Sequence, residues 1–291
     1  MPGDAFSYDF SYEGNEAFIN PLHLDPAYAK EISISRLKWE FLDAWRSQYP
    51  TLGIQQRSFL ARLIDDAYAS AGVTPDAASW HKPVDFSDVL DAFERSDERA
   101  ATKERIEAYM QQFREWAVFH GGEPINVESM LQRSTRLNLS QLDEGARNIV
   151  ADVVLRRLFL LVKALGPIPE GTLGWDRFRC YVVIDEAQVL LTTNGEAKAS
   201  LAKYASEARK FGIGLVLATQ LRDNIPGNVW GNIDTRLWML ALDQTERQKN
   251  AKAAGLEESS LAALQVGEAF LVASSQPGTR PMHVKIDPSG C

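Results

Sequence analysis

Two adjacent carboxylates, Asp185 and Glu186, follow directly on an apolar run in the segment CYVVIDEAQVLL, Cys180 to Leu191. A strand that ends in paired acids can present a metal-binding and a catalytic carboxylate to a bound triphosphate. The first acid can hold Mg²⁺ and the second can polarise the attacking water. The simpler account of the same residues is a core strand running into an acidic helix start, with Glu186 and Gln188 in the first turn. A second polar group, Thr219 and Gln220, closes the apolar run IGLVLATQ. An amide at the end of a neighbouring strand can contact a terminal phosphate or the attacking water. It can then report hydrolysis to the loop behind it, here LRDNIPGNVWGN, rich in Gly, Asn and Pro. The plainer reading of Gln220 is a loop residue after a buried strand. Asp234 to Arg236 stand at the start of a third strand, on the opposite rim unless the preceding loop folds back.

Elements able to hold these groups are legible around them. The strand-like runs CYVVIDEA, IGLVLATQ and TRLWMLAL alternate with a helix expected from about Glu196 to Phe211 and with the polar helix DQTERQKNAKAAG. Two further strands are expected in EAFLVAS and PMHVKI, and STRLNLSQL alternates like a strand. EGARNIVADVVLRRLFLLVKAL reads as a long apolar helix before the Gly166–Pro169 loop. Strands alternating with helices imply an α/β fold, a parallel sheet covered on both faces, and runs such as VVI and LVLA suit buried strands. In such a sheet the strands' carboxyl ends face the ligand crevice, which is where the acids and Gln220 arrive.

Three segments are expected. Residues 1–26 are irregular or short-strand material with AFINPL as a strand-to-loop piece. Residues 27–122 are helical, and residues 123–291 form the β/α core. In the helical part, Leu37, Phe41, Leu42 and Trp45 recur at helical spacing, as do Phe59, Leu60, Leu63, Ile64 and Ala67. Pro50 and the Gly72–Pro75 region separate these helices. A short helix is expected in DFSDVLDAF and another from Glu104 to Phe119. Its stripe Tyr109, Phe113, Trp116 reads as core rather than as a base-stacking surface.

The 291 residues carry a net charge of −8, which argues against a generally basic nucleic-acid coat but leaves room for a local basic lining. Two cysteines, Cys180 and Cys291, lie far apart and suit free thiols in a reducing cytosol. The most apolar run, VVLRRLFLLVKAL, is broken by Arg156, Arg157 and Lys163, so no membrane-spanning segment is expected. The first residues, MPGDAFSYDF, lack a basic segment followed by an apolar stretch, and a cytoplasmic location is expected.

VVIDEAQVLL, EARKFGIGLVLATQ, NIDTRLWML and LAALQVGEAFLV, in that order, resemble successive landmarks of the HerA/FtsK class of RecA-like ATPases, most of all the HerA-type DNA translocases and helicases. AFINPL followed by a helical insertion is also similar to the middle of those proteins. The resemblance covers most of the chain and is strongest from Arg133 to Ile286.

It implies a RecA-like P-loop NTPase-type parallel sheet flanked by helices, with an α-helical insertion in the N-terminal half. It also implies ATP and Mg²⁺ as cofactors, and a homo-hexameric ring around duplex DNA. A nuclease partner, and phage defence, are further roles found in that class. Asp185 would match the aspartate that binds Mg²⁺, Glu186 the catalytic glutamate and Gln220 the sensor amide, with Thr219 beside the nucleotide. A neighbouring subunit would supply a cation to the transferring phosphoryl group. Arg209 is the first candidate, with Lys210 and Arg236 behind it. Arg222 is a candidate for the DNA-facing lining, where contacts would go mainly to phosphates.

One departure from the pattern matters. An ATPase of this class holds phosphates in a glycine-rich loop ending in Gly-Lys-Ser/Thr, and no Gly-Lys pair occurs in this sequence. The chain therefore looks like the C-terminal part of a HerA-like protein, a truncated or split form, or a degenerate subunit. By itself it is expected to hydrolyse ATP weakly or not at all. Conjugation and type IV secretion ATPases share similar motifs. A scaffold that binds a nuclease or ring partner is the reading outside enzymology. DEAQ also resembles a superfamily-two helicase motif, but the chain lacks a second arginine-rich motif.

Overall fold

The computed structural model describes residues 6–11, 17–187, 190, 192–193, 196–197, 204, 206–273 and 280–286. Gln188 and Cys291 lie outside them. The chain divides into two compact units, Met1–Val182 with Glu207–Gly214, and Val183–Ser206 with Leu215–Cys291.

The first unit is mainly helical. Its long helices are α1 (Ile34–Gln48), α2 (Ile54–Ser70), α3 (Phe86–Arg95), α4 (Ala100–Trp116) and α5 (Glu144–Ala164). Their starts follow from capping side chains that satisfy otherwise orphaned N–H groups. Ser33 accepts from the Arg36 N–H, Asp85 from Ser87 and Asp143 from Ala146. Aromatic side chains at helical spacing converge in one core: Phe41, Trp45, Phe86, Phe113 and Phe119 are all at most 3% exposed. The Trp45 and Phe113 rings are 4.4 Å apart, and Phe41 meets Phe119 edge-on at 5.6 Å. Each such ring contributes about 1.5–3 kcal/mol by burial. The expected core stripe of α4 is confirmed for Phe113 and Trp116, while Tyr109 is half-buried against Tyr49.

Helix α4 runs from Ala100 rather than Glu104 and stops at Trp116 rather than Phe119. Ala117 adopts a left-handed backbone (φ 48°), and the Val118 carbonyl then accepts the Ile19 N–H at 3.0 Å, outside the helix. The short strands of this unit are β1 (Phe6–Asp9), parallel to β4 (Thr135–Asn138), and β2 (Ala17–Ile19), parallel to β3 (Glu123–Ile125). The Asn-Pro-Leu turn after β2 is locked on the helices. Asn20 donates to the Val84 carbonyl and accepts the Leu22 N–H, both at 2.9 Å, and the Tyr68 hydroxyl donates to the Leu22 carbonyl at 2.7 Å. Arg157 of α5 pairs with Glu128 in the interior.

Strand β5 (Cys180–Ile184) pairs with β8 (Ile213–Leu217), and the unit division crosses both strands. Cys180 donates to the Gly212 carbonyl at one end and Ala218 donates to the Ile184 carbonyl at the other, so the two strands run parallel. Gly214 is required there: a Cβ would run into the Tyr181 ring. Cys180 is half-buried, and burial pushes its thiol up to about 11.

In the second unit β6 (Thr192–Thr193) pairs antiparallel with β7 (Glu196–Ala197). Glu196 is therefore a strand residue, not the start of the expected helix. The register leaves two residues, Asn-Gly, between Thr193 and Glu196, the sequence signature of a tight hairpin. The described helical residues of that stretch are Tyr204, Ser206 and Glu207, and Ala208–Phe211 is a 3₁₀ turn.

Further along come α6 (Gly227–Trp230), β9 (Thr235–Met239), α7 (Gln244–Ala254), α8 (Glu258–Ala262), β10 (Glu268–Ala273) and β11 (Met282–Lys285). The last three strands form an antiparallel sheet in the order β11-β10-β9, not a continuation of the parallel one. Its Trp238 packs with Ala251 and Ala254 of α7, Leu261 of α8 and Leu264 just beyond that helix. Apolar strand residues expected in a closed core are open among the described residues: Val183 is 69% and Leu237 52% exposed. The architecture remains α/β.

Candidate functional site

The acids stand just past the last residue of β5. Asp185 and Glu186 are exposed, while the next residue, Ala187, is fully buried. The chain makes this change of direction with Glu186 in the left-handed region, φ 47°, which disfavours a residue with a side chain. Two bonds hold the turn to one residue of the neighbouring strand end: Ala218 donates to the Ile184 carbonyl at 2.9 Å, and Ala187 donates to the Ala218 carbonyl at 2.8 Å. Asp185 Oδ1 accepts the Glu186 N–H at 2.9 Å. The carboxylates are thus bracketed by backbone pairing and directed away from the core.

Because Ala218 is the shared anchor, Thr219 and Gln220 follow it directly beside the acids, all within one unit. Thr219 Oγ1 lies 3.2 Å from both the N–H and the carbonyl oxygen of Leu221 and fixes the turn, and Gln220 is exposed. The structure therefore brings together Asp185, Glu186, Thr219 and Gln220.

The other sequence candidates are placed differently. Arg209 is exposed on the 3₁₀ turn Ala208–Phe211 of the first unit, as is Lys210. Arg222 packs over the Trp230 ring at 5.0 Å and pairs with Asp223 at 3.4 Å. Arg236 lies over the same ring at 4.5 Å and donates to the Trp230 carbonyl at 3.2 Å, so the loop does fold back to the start of β9. Asp223 also meets Lys249 at 2.9 Å, and that hydrogen bond holds its carboxyl below the usual range. Sequence reading passed over Trp230. Its signal was an aromatic residue in a Gly/Asn-rich loop with an arginine on either side.

The exposed carboxylates have the right chemistry to hold Mg²⁺, directly or through water, and to polarise a water. Phosphate-holding groups of the Gly-Lys kind are not among this chain's residues. No cluster of three or more His, Cys, Asp or Glu side chains suited to a metal occurs among the described residues. None of the helices searched is long and apolar enough to cross a membrane.

The fold is that of P-loop NTPases. It is similar to VirB4 of Thermoanaerobacter pseudethanolicus, with a TM-score of 0.68 and 16% identity over 97% of this chain and 76% of that one. It is also similar to the plasmid coupling protein TrwB in complex with ADP and Mg²⁺, with a TM-score of 0.54 and 14% identity over 98% of this chain and 79% of that one. In sequence the chain is similar to the DNA double-strand break repair helicase HerA of Sulfurisphaera tokodaii, 27% identical over 199 residues, 66% of this chain and 39% of that protein. It is also 33% identical over 113 residues to the probable HerA helicase of Methanocaldococcus jannaschii, 36% of this chain and 22% of that protein. No protein-family model matches. The chain is thus HerA-like in sequence and RecA-like in fold, as the order of its segments implies. It spans less than half the length of these curated relatives.

Proposed function

We propose that this chain is part of an ATP-driven motor of the HerA type, coupling ATP hydrolysis to movement along duplex DNA. The observation that supports it most is the pairing through Ala218, which sets Asp185 and Glu186 beside Thr219 and Gln220 in a HerA-like sequence. In this reading Asp185 holds Mg²⁺, which would neutralise charge on the phosphates. Glu186 accepts a proton from the attacking water, and Gln220 orients that water or the terminal phosphate. Thr219 sits beside the nucleotide. Arg209 of a neighbouring subunit supplies the cation that the transferring group needs, with Arg236 as the second candidate. Arg222, half-exposed behind Gln220, is the candidate for DNA phosphate contact.

Residues 27–122 are an α-helical insertion, residues 1–26 a piece of the core, and residues 123–291 the C-terminal part of the ATPase core. The working form is a homo-hexamer on duplex DNA in the cytoplasm, with a nuclease or defence effector as its partner. The phosphate-holding loop is supplied by sequence outside these residues.

Hydrolysis assays test this reading. The 291-residue chain alone turns over little or no ATP. Joined to a phosphate-loop segment, it shows DNA-stimulated hydrolysis that Glu186→Gln lowers by about 10²–10⁴-fold. An unchanged rate in Glu186→Gln defeats the assignment of Glu186, whereas robust turnover by the chain alone that Glu186→Gln abolishes overturns the expectation that the chain is inactive by itself.

A second reading, a conjugation or secretion-type ATPase, draws support from the fold likeness to VirB4 and TrwB over 97–98% of the chain. A non-hydrolysing scaffold draws support from the lack of a Gly-Lys pair. Native mass spectrometry with ATP and duplex DNA separates the classes. A ring that assembles on DNA fits a motor, and a monomer indifferent to both fits a fragment or a scaffold.

A further inference from the structure

The loop behind Gln220 is tied to two elements through one indole. Arg222, two residues after Gln220, packs its guanidinium on Trp230, and Arg236 of β9 packs on the same ring and donates to the Trp230 carbonyl. Trp230 also leans on Trp238, a core residue of β9, with ring centroids 5.8 Å apart. Two like charges on one ring repel, and Asp223 offsets this at Arg222. The same Asp223 binds Lys249 of α7 at 2.9 Å, and Lys249 donates to Glu246 at 2.8 Å. A continuous run of contacts therefore leads from the β8 end through Arg222 to β9 on one side and α7 on the other.

We propose that Trp230 is a positioning residue that clamps the loop behind Thr219–Gln220 to β9, while Asp223 and Lys249 tie the same loop to α7, so that a displacement at the β8 end passes to both. Its use in a nucleotide cycle rests on the reading of Gln220 above, but the clamp itself is mechanical and needs no nucleotide. Arg222 then serves first as the link between loop and indole, which accounts for a guanidinium held against a ring and a carboxylate rather than extended into solvent.

Hydrogen exchange on the full 291-residue chain tests it. Thr219→Val removes the hydroxyl that fixes the Leu221 turn and so disturbs the β8 end without any ligand. In the parent background exchange should rise roughly fivefold in residues 219–224, and also in Thr235–Met239 and Gln244–Lys249. With Trp230→Leu the rise should no longer reach Thr235–Met239, while the Asp223–Lys249 pair still carries it to α7, and Trp230→Phe, which keeps an aromatic face for the arginines, should restore its spread to β9. A spread unaffected by Trp230→Leu overturns the proposal, as does no rise at β9 or α7 in the parent. If Trp230→Leu loses protection at Leu261–Leu264, the unit has unfolded and Arg222→Met makes the same cut with Trp230 left on Trp238. An unchanged spread in Arg222→Met overturns the clamp. In a separate arm, with the chain joined to a phosphate-loop segment, Mg²⁺ with ATPγS should protect residues 185–187 and 219–220. Absence of that protection, with the Thr219→Val pattern intact, removes the nucleotide reading and leaves the clamp standing.

Discussion

Ala117 and Glu186 share an unusual feature, a left-handed backbone at a residue other than glycine, with φ values of 48° and 47°. Their surroundings differ. Ala117 ends α4 between Trp116 and Val118–Phe119, which are at most 3% exposed, and its own N–H caps the helix on the Phe113 carbonyl. Glu186 is exposed and points a carboxylate outward, and among the described residues Ala187, the two bonds to Ala218 and the Asp185 carboxylate on its own N–H fix it from behind. A left-handed residue of this kind costs roughly 1–2 kcal/mol. In the first region dense packing offsets the cost, and the conformation turns the chain into the core. In the second, the same conformation holds an acid where a ligand can reach it, the pattern expected where strain serves a site.

The largest effect should come from breaking the packed region. Phe119→Ala should lower stability by about 3–5 kcal/mol, read by chemical denaturation. Val183→Ser, on an exposed position of β5, should change it by no more than about 0.5 kcal/mol. Equal losses would mean that the open strand face is covered in solution. Next, Gly214→Ala should cost about 1–3 kcal/mol, because the added methyl meets the Tyr181 ring. A neutral result would show that β5 and β8 separate readily.

The sharpest comparison replaces the two strained residues. Ala117→Gly and Glu186→Gly should each raise stability by about 0.5–1 kcal/mol, the relief of strain less the entropy gained by the unfolded chain. Only Glu186→Gly should also remove hydrolysis once a phosphate loop is supplied. A loss of stability in Glu186→Gly would mean that the carboxylate makes a structural contact.

The smallest effect is the titration of Cys180. Burial holds its folded pKa up at about 11, above the ordinary thiol value of 9.0, so its contribution to stability is complete below pH 9 and is lost as pH rises through 11. Alkylation of the native protein should accelerate with an apparent pKa near 11 rather than 9. A native value near 9 would place the thiol in water.

The sequence determined a good deal. Helical spacing of Phe41, Trp45, Phe59 and Leu63 identified the packed helices, because a 3.6-residue repeat leaves one apolar face that must be buried. Apolar runs ending in Asp185–Glu186 and Thr219–Gln220 marked the strand ends, and the missing Gly-Lys pair could only be read there. Local signals also had limits. Apolar spacing carries α4 on to Phe119, past its end at Trp116, because a left-handed Ala117 has no sequence signature, and the stretch expected as a helix from Glu196 instead begins in the antiparallel pair of β6 and β7.

Tertiary structure alone decided which strand ends meet. Ala218 joins the acids to Gln220 through backbone bonds that any residue could make, so no side chain announced them. It also decided that Arg222 and Arg236 share the Trp230 ring. Contacts between residues separated by a loop depend on where the loop returns, and residue types set that return only through the packing of everything around it.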